Sequence, residues 1–557
     1  MSEQVKKIFG IDLGTTYSSC ACVDEYGKAA VIPNAENQRV TPSVVFFDGE
    51  NIVVGDVAME SSKLYPDDVA SFVKRSMGEP DFVFEHNSQF YRAEEISSYI
   101  LRKVVQDAEY SIGEKITDVV ITCPAYFGIN EREATRIAGE IAGFNVRQII
   151  NEPTAAAIAY GAAESSKERV VLVYDLGGGT FDITMIDIKH DSIEVVCTGG
   201  DHNLGGKDWD DRIVANLVRQ FQSKTGLDDD ILEDPDTCQE LQLSAEKAKR
   251  ILSQREITPT SITYGGERVK VELTREKFEE ITQDLIERTI ALTHGILEEA
   301  KKKGYETFDE IILVGGSTRM PCVVKRIKEE FSVEPKIFDP DEAVAKGAAI
   351  YAWKLSINDD LVKRIAEKTN QAIDNVDDTA ELIESAPEQL VKEVTKQMAD
   401  DIGCMLPVLQ RSMVKIKNVT SKSFGIVVRN PQNEEMVFNL ILKNTAIPVD
   451  VKRTFYTAIA DQKTVLVRIM EDETSEETAP PEQSIEIGTA VLNLPPGLPV
   501  DLPIEIFFNI NNEGRLQINA VETSESRSVE IFIETRSVIQ GDALKEAKSR
   551  SKSLVVH

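Results

Sequence analysis

The most constraining feature of this 557-residue chain is a short pattern that occurs twice: an apolar run ending in aspartate, then glycine, then threonine. Near the N-terminus it reads Gly10-Ile11-Asp12-Leu13-Gly14-Thr15-Thr16. About 160 residues later it reads Val171-Leu172-Val173-Tyr174-Asp175-Leu176-Gly177-Gly178-Gly179-Thr180-Phe181-Asp182. Glycine lets backbone N–H groups approach an anion, and the threonines add side-chain donors. An aspartate would repel phosphate, so its task beside one is to hold a hydrated Mg²⁺. Singly, either segment reads equally well as a structural strand-to-turn motif. As a pair they point to two related α/β subdomains facing one nucleotide. A third element, Ile311-Ile312-Leu313-Val314-Gly315-Gly316-Ser317-Thr318-Arg319, follows another apolar run. Its glycine pair permits close approach to a base or ribose, and Arg319 can stack on an adenine face. The Walker spacing of glycines, lysine and hydroxyl is absent from these turns, so this is not a P-loop.

Around these motifs the chain divides into three stretches. From Ile8 to about Leu355, short apolar runs alternate with longer amphipathic segments, an α/β signature. Strands are expected at Ile8–Leu13, Val119–Cys123, Val170–Leu176 and Ile311–Val314, and helices at Ile96–Tyr110 and Arg275–Lys303, the latter stopped by Gly304. From Ser356 to about Lys417, Leu361, Ile365, Leu382, Val391, Val394 and Met398 are spaced for helices, with Asp359, Asp360, Asp377, Asp378, Glu381 and Glu384 on the polar side. Pro387 splits that run in two, giving an acidic helical spacer. From Val419 onward the alternation is β: Val465, Val467 and Ile469, then Ile504, Ile506, Phe508 and Ile510, with Asn511–Gly514 turning the chain into Leu516, Ile518 and Ala520. An all-β sandwich follows, and then one short polar segment, Asp542–Lys552.

Composition removes several function classes. With 62 Lys and Arg against 94 Asp and Glu, the formal net charge is −32. That opposes binding to a nucleic-acid backbone or an anionic membrane surface, both of which need clustered cations. The seven cysteines are scattered among apolar neighbours with no Cys-x-x-Cys pair, supporting neither a disulfide framework nor a zinc site. Met1–Lys7 lacks the apolar core of a signal peptide, and no stretch reaches the ~18 apolar residues of a membrane span. A reducing, cytoplasmic location is the expectation.

Several of these runs together resemble the seventy-kilodalton heat-shock chaperone family, the DnaK-type chaperones. They are Asp12–Tyr17, Asn151-Glu152-Pro153-Thr154-Ala155-Ala156-Ala157, Asp175–Asp182, Leu204-Gly205-Gly206, Val314–Pro321 and Asp341-Glu342-Ala343-Val344-Ala345. The likeness is most specific over 8–355 and looser over 419–537. It implies an actin-like, ribonuclease H-like ATPase of two lobes around Mg-ATP (1–355), followed by a β-sandwich peptide-binding domain (419–537). An acidic insert and linker (356–418) would lie between them, with a short lid remnant (538–557) at the end. By the resemblance, Asp12, Glu152 and Asp175 hold the magnesium through its water and order the attacking water, with potassium a candidate companion ion. Lys74 contacts the γ-phosphate region and Thr180 stands beside it. Backbone of Gly14, Thr15, Thr16, Tyr17, Gly177, Gly178 and Gly179 cradles the phosphates, with Gly205, Gly206, Gly315, Gly316, Ser317 and Asp341 completing the nucleotide site. Glu246, Lys249, Arg250 and Ser253 share one helix face. From spacing that face is a solvated charged stripe, as Lys74 is a solvated lysine; the resemblance instead puts Lys249 and Arg250 beside the purine, opposite Arg319. Pro124 and Arg132 match a proline switch and an arginine relay between domains. Ile426, Phe455, Val465 and Val467 match apolar pocket positions for an extended peptide, though spacing alone reads them equally well as sandwich core.

The sequence also departs from the family pattern. Lys207 replaces an acidic residue near the ribose, Gln148 an interdomain arginine, and Arg429 an apolar arch residue. The linker reads Val414-Lys415-Ile416-Lys417-Asn418, and its lysines are expected to weaken the strand that docks on the ATPase. The stretch 356–411 has no counterpart, and a full helical lid is missing, so fast-exchanging peptide binding is expected. The resulting reading is an ATP-driven chaperone for unfolded or extended polypeptides, served by a J-domain partner and a nucleotide exchange factor. A nucleotide-holding regulatory relative that does not cycle peptides is the alternative. A sugar kinase or actin-like filament protein is disfavoured by the Asn151–Ala157 run and the sandwich.

Overall fold

The computed structural model describes residues 6–24, 26–163, 168–227, 230–369, 383, 385–494, 496–512, 514–522, 527–531 and 538–557. Each of the two Asp–Gly–Thr hairpins lies at the heart of its own sheet. In the first lobe, Phe9–Asp12 pairs in parallel with Asp118–Cys123 and antiparallel with Tyr17–Val23, and Asn145–Asn151 and Ala29–Ile32 close the two sides. In the second lobe, Arg169–Leu176 pairs in parallel with Glu310–Val314 and antiparallel with Phe181–Ile188, followed by Ser192–Asp201. The same parallel-plus-hairpin plan is thus built twice, as the repeated motif implies. The helices Glu152–Ala163 and Ala343–Thr369 lie between the two sheets in one shared core with Val120, Ile150, Val171, Val173 and Ile312. They cross very closely at Gly347, where a Cβ would lie 1.7 Å from the Ala155 carbonyl oxygen. Only glycine fits there.

The expected strands of the α/β stretch form within one residue of their predicted bounds, and the helix expected at Ile96–Tyr110 runs from Ala93 to Ile112, starting three residues earlier and ending two later. The helix expected over Arg275–Lys303 is divided: Arg275–Ile281 and Gln283–Lys302 meet at Thr282, whose hydroxyl donates back to the Phe278 carbonyl. Such back-bonding competes with the helical ladder. All seven cysteines are free thiols. No helix among the described residues is long and apolar enough to cross a membrane.

Beyond the lobes, three expectations need correction. First, no break falls at 355. Ala343–Thr369 is one helix, and its second half joins Glu388–Ile402 and Leu406–Ser412 around Ile357, Leu361, Ile365, Val394, Met398 and Leu409. The spacer is therefore an outgrowth of the two-lobed core with its own apolar centre. Asp377, Asp378, Glu381, Leu382 and Glu384, counted as part of its acidic side, lie outside the described residues. Second, the linker does dock. Lys415–Val419 pairs in parallel with Ser192–Glu194 of the second lobe, and Ala446–Ile447 of the sandwich pairs with it in turn. Strand alternation sends Ile416 toward the lobe core and Lys417 outward to Glu194 at 2.6 Å, so the lysines do not obstruct pairing. Third, the final segment does not begin a lid over the sandwich. The helix Gly541–Ser553 and strand Val555–Val556 lie on the first lobe, where Val538, Ile539, Ala547 and Val556 enter its core. Arg102 donates to the carbonyls of Ser551 and Leu554, and His557 exchanges backbone hydrogen bonds with Ile52 and Val54.

The sandwich faces a five-stranded sheet (Thr478–Ala479, Glu435–Ile441, Ser423–Arg429, Thr464–Asp472, Ile485–Asn493) against a four-stranded one (Val449–Tyr456, Pro503–Ile510, Leu516–Glu522, Arg527–Ile531). Inward residues alternate along the strands, filling a core with Phe424, Ile469, Ile506, Phe508 and Ile518.

Candidate active site

Asp12 ends the first central strand and Asp175 lies one residue before the end of the second, where each strand runs into its glycine turn. The two turns interlock. A Cβ on Gly178 would lie 2.3 Å from Thr16 Oγ1, and one on Gly179 would lie 2.3 Å from Thr15 Cγ2. These threonines and glycines therefore form one contiguous wall across the two lobes. Gly14 N–H donates to Ser18 Oγ at 3.2 Å, and Tyr17 begins the next strand. Gly177 N–H donates to the Thr180 carbonyl, while its own carbonyl receives Gly206 N–H at 3.0 Å and Ser317 Oγ at 2.8 Å. Gly205 precedes the helix Gly206–Thr225, and Gly315 (φ 83°) packs on the Leu176 carbonyl beside Asp175. Gly316 lies near Asp341.

Behind this wall sits a charge cluster: buried Glu152, Asp175 and Asp182 and half-buried Asp12 around the ammonium of Lys74. Lys74 Nζ donates to Glu152, and Thr122 Oγ1 to Asp12 at 3.0 Å. Thr180 is buried alongside. Burial, then the charge of Glu152, raises Asp12 to about 7. Burial and the other carboxylates raise Asp175 well above the carboxylate range. Burial, then Glu152, raises Asp182 to about 7. Burial works against the Lys74 ammonium, yet Glu152 and Asp12 hold its pKa above the ordinary lysine value. Four carboxylates against one ammonium crowd negative charge, which is why burial and mutual repulsion raise the carboxyl pKa values, and a bound cation would relieve that charge as protons do. Among the described residues no three His, Cys, Asp or Glu groups stand close enough to ligate a metal directly. The donor set fits a cation held through its water, as Mg²⁺ commonly is.

Across the cleft, Glu246, Lys249 and Arg250 project from the helix Pro235–Leu252, with Ser253 as its cap. Each cation of this face is held by protein groups. Lys249 Nζ is held by Asp210 at 2.6 Å and by the Gly206 carbonyl at 2.7 Å, fixing the start of the second-lobe helix. Arg250 reaches across the cleft to the Tyr17 hydroxyl and ring and pairs with Glu246 at 2.7 Å. Arg319 pairs with Asp341, both exposed. Lys207 pairs with Asp211 at 2.7 Å and lines the cleft.

The loop after Pro124 links this cluster to the sandwich. Tyr126 N–H donates to Asp182 at 3.1 Å. Arg132 braces the loop through the carbonyls of Phe127 (2.9 Å) and Ala125 (3.2 Å), and donates to Asn151, the neighbour of Glu152, at 2.7 Å. On the sandwich side, Ser421 Oγ donates to the Phe127 carbonyl at 3.0 Å, and the ammonium groups of Lys422 and Lys443 lie over the Tyr126 ring at 3.6 and 5.3 Å. Asn444 accepts from Thr198 N–H at 2.9 Å, and Lys303 donates to the Val196 and Asn444 carbonyls. Glu471 accepts from Ile129 N–H at 3.1 Å, in the space left by Gly128. Asp182 and Glu471 were the site residues that sequence reasoning passed over. Asp182 was visible as the last residue of the repeated motif, whereas nothing local marks Glu471.

Of the peptide-pocket residues, Ile426 and Val467 are buried in the sandwich core, while Phe455 and Val465 are half-buried at its margin, with Phe455 set edge-on to Phe438 at 6.0 Å. Arg429 is exposed and pairs with Glu435 at 3.0 Å.

Comparison with known proteins agrees with this geometry. The family model described as Hsp70 protein matches residues 8–367 and 402–554. The chain is 36% identical to the chaperone protein DnaK of Halobacterium salinarum over 98% of its own length and 78% of that protein's. It is 36% identical to the DnaK of Thermotoga petrophila, covering 98% of this chain and 83% of the relative. With the DnaK of Thermosipho melanesiensis it shares 37% over 96% and 81%. Two interlocked phosphate hairpins over a buried carboxylate cluster, joined through a docked linker to a β-sandwich, are in this chain the architecture of an ATP-dependent chaperone of the Hsp70 family.

Proposed function

We propose that ATP binds with its phosphates against the interlocked hairpins of an actin-like pair of lobes, and that its hydrolysis controls the grip of the sandwich on extended apolar segments of unfolded polypeptides. The observation that carries this reading is the cluster of Asp12, Glu152, Asp175 and Asp182 around Lys74. When bound, Mg²⁺ supplies the charge that draws together the phosphate oxygens and the desolvated carboxylates. Asp12, Glu152 and Asp175 hold the metal's water shell and orient the attacking water. Lys74, kept charged by Glu152, faces the negative charge that develops on the transferring phosphoryl group. Thr180 and the backbone of Thr15, Thr16 and Gly177–Gly179 donate to the phosphates. The chain from Asp182 through Tyr126, and from Asn151 through Arg132, supplies a contiguous route from cluster to sandwich.

The docked linker supports nucleotide-coupled peptide cycling over a regulator that does not cycle. A J-domain protein and an exchange factor are the partners this cycle calls for, in the cytoplasm. The test is a single-turnover ATP assay on Lys74→Ala and Asp175→Asn. Each should lose about 100-fold or more in rate, the scale of removing one preorganised electrostatic group. Wild-type turnover in both would remove the assignment.

A further inference from the structure

A second cavity, of about 610 Å³, lies away from the nucleotide site, where the two lobes, the linker and the helical outgrowth meet. Its walls include Ile158 of the inter-sheet helix, Ile350 and Trp353 of the helix Ala343–Thr369, Val408 of Leu406–Ser412, and Ile416 of the linker strand. The Val408 wall is set by the outgrowth: Val408 and Trp353 both close on Gly27, and the neighbour of Val408, Leu409, is buried in one cluster with Ile357, Leu361, Val394 and Met398. Val394 and Met398, which support this wall from behind, fall in 368–401, which the Hsp70 family model leaves unmatched.

Lys28 aside, the other charged groups of the lining are engaged with one another or with neighbours, Lys346 with Asp339 at 2.6 Å, Lys189 with Glu194 at 2.6 Å, and Glu168 accepting from His190 N–H, which leaves one largely desolvated ammonium among the apolar walls. Lys354 Nζ donates to the Val414 carbonyl at 2.6 Å and lies 5.9 Å from the Tyr351 ring centroid. No carboxylate among the described residues pairs with it. Its other anchored neighbour, Lys415, is also cationic, and burial followed by that charge pushes the Lys354 amine down to about 8. One of its three donors is used and two remain. Lys28, on the cavity rim, is exposed, and while its backbone N–H donates to Asp24 at 2.8 Å, its ammonium has no ion pair among the described residues. A buried cation without an anion is costly, and apolar walls hold water poorly. A single occupant answers both: one negative group on an apolar body. The volume lies within the ~300–1,000 Å³ of small-molecule sites.

We propose that this cavity binds a small amphiphilic carboxylate, its anion on Lys354 and its apolar body between Trp353, Val408 and Ile416. Because Lys354 also holds the carbonyl that precedes the linker strand, occupancy is coupled to linker docking. The proposal is independent of the reading of the nucleotide site.

The chain carries its own reporter, since its two tryptophans are Trp353 and Trp209, and the latter is fully buried in the second-lobe core. Full-length protein is titrated with octanoate, and with octan-1-ol as the uncharged control, while tryptophan emission is followed; Trp353→Phe assigns the signal. Octanoate should shift the emission saturably. Lys354→Met should weaken it by about ten-fold or more, Lys354→Arg should retain it, and octan-1-ol should bind about ten-fold or more weakly. Thermal melting of each variant establishes that it is folded. Should Lys354→Met fail to fold, Val408→Glu, which sets a carboxylate in the partly exposed wall, must abolish octanoate uptake. Equal binding of octanol and octanoate, wild-type titration of Lys354→Met, or no saturable response would overturn the proposal. So would a response only to an acidic peptide, which would make the cavity a protein-docking groove.

Discussion

Glu471→Gln should remove a pH dependence from sandwich docking. In the docked structure the Glu471 carboxyl is enclosed between its own strand and the start of the helix Ile129–Ile141. Burial, then the charge of Glu131, raises it from an ordinary 4.5 to about 7, against the opposing pull of Lys422, the Ile129 N–H and Arg132. Glu473 and Tyr126 complete the groups at this face of the interface. Undocking returns the carboxyl to water. Its docked pKa is the higher, so the protonated form favours docking: the contribution is full below about 4.5, falls as pH rises toward 7, and is flat beyond. At about 1.4 kcal/mol per pH unit, the difference between 4.5 and 7 is worth at most about 3.5 kcal/mol. Glutamine keeps an acceptor for Ile129 N–H without a charge. Small-angle scattering with ATP, from pH 5 to 8, reads docking as a smaller radius of gyration. Asp12 and Asp182 titrate in the same range, so the informative quantity is the difference between wild type and variant. Wild type should expand relative to Glu471→Gln as pH rises. Identical pH profiles, or docking that strengthens in wild type alone as pH rises, would refute the reasoning.

Other consequences follow from the linker and the C-terminal segment. Ile416→Asp places a charge in the core beneath the linker strand and should cost docking about 2–4 kcal/mol, while Lys417→Ala, which removes only a half-exposed pair with Glu194, should cost less than about 1 kcal/mol. Scattering on the two variants distinguishes them, and equal effects would contradict the strand's orientation. Val556→Asp should free the Val538–His557 segment from the first lobe and lower the melting temperature, with a loss of about 2–4 kcal/mol. Unchanged melting would mean that this segment adds nothing to the lobe.

The convergence of the two glycine turns and their carboxylates was legible in the sequence because its requirements are local. Backbone donors at a turn need glycine, and the carboxylate must sit at or beside the strand's end, so Asp12–Thr16 and Asp175–Asp182 carry their geometry in a few consecutive residues. The linker was misread because Lys415 and Lys417 were counted as diluting an apolar run, whereas a strand with one buried side needs apolar residues only at alternate positions. The boundary at 355 was misplaced because a change of surface charge was taken for a change of fold, yet Ile357, Leu361 and Ile365 continue the helical spacing without interruption. Glu471 could not be found from sequence, since Gly128 and Ile129, which enclose it, lie about 340 residues away. Lys249 and Arg250 were assigned to the purine on family likeness, and their partners in the structure, Asp210 and Tyr17, lie 39 and 233 residues away, beyond the reach of a local motif.

The central claim is that the carboxylate cluster and the sandwich act as one device through the docked linker. It is tested most directly by measuring ATP turnover with and without an unfolded peptide, in wild type and in Ile416→Asp. Coupling requires peptide to accelerate turnover in wild type and Ile416→Asp to lose that acceleration. No acceleration in wild type, or acceleration that survives Ile416→Asp, would contradict the account.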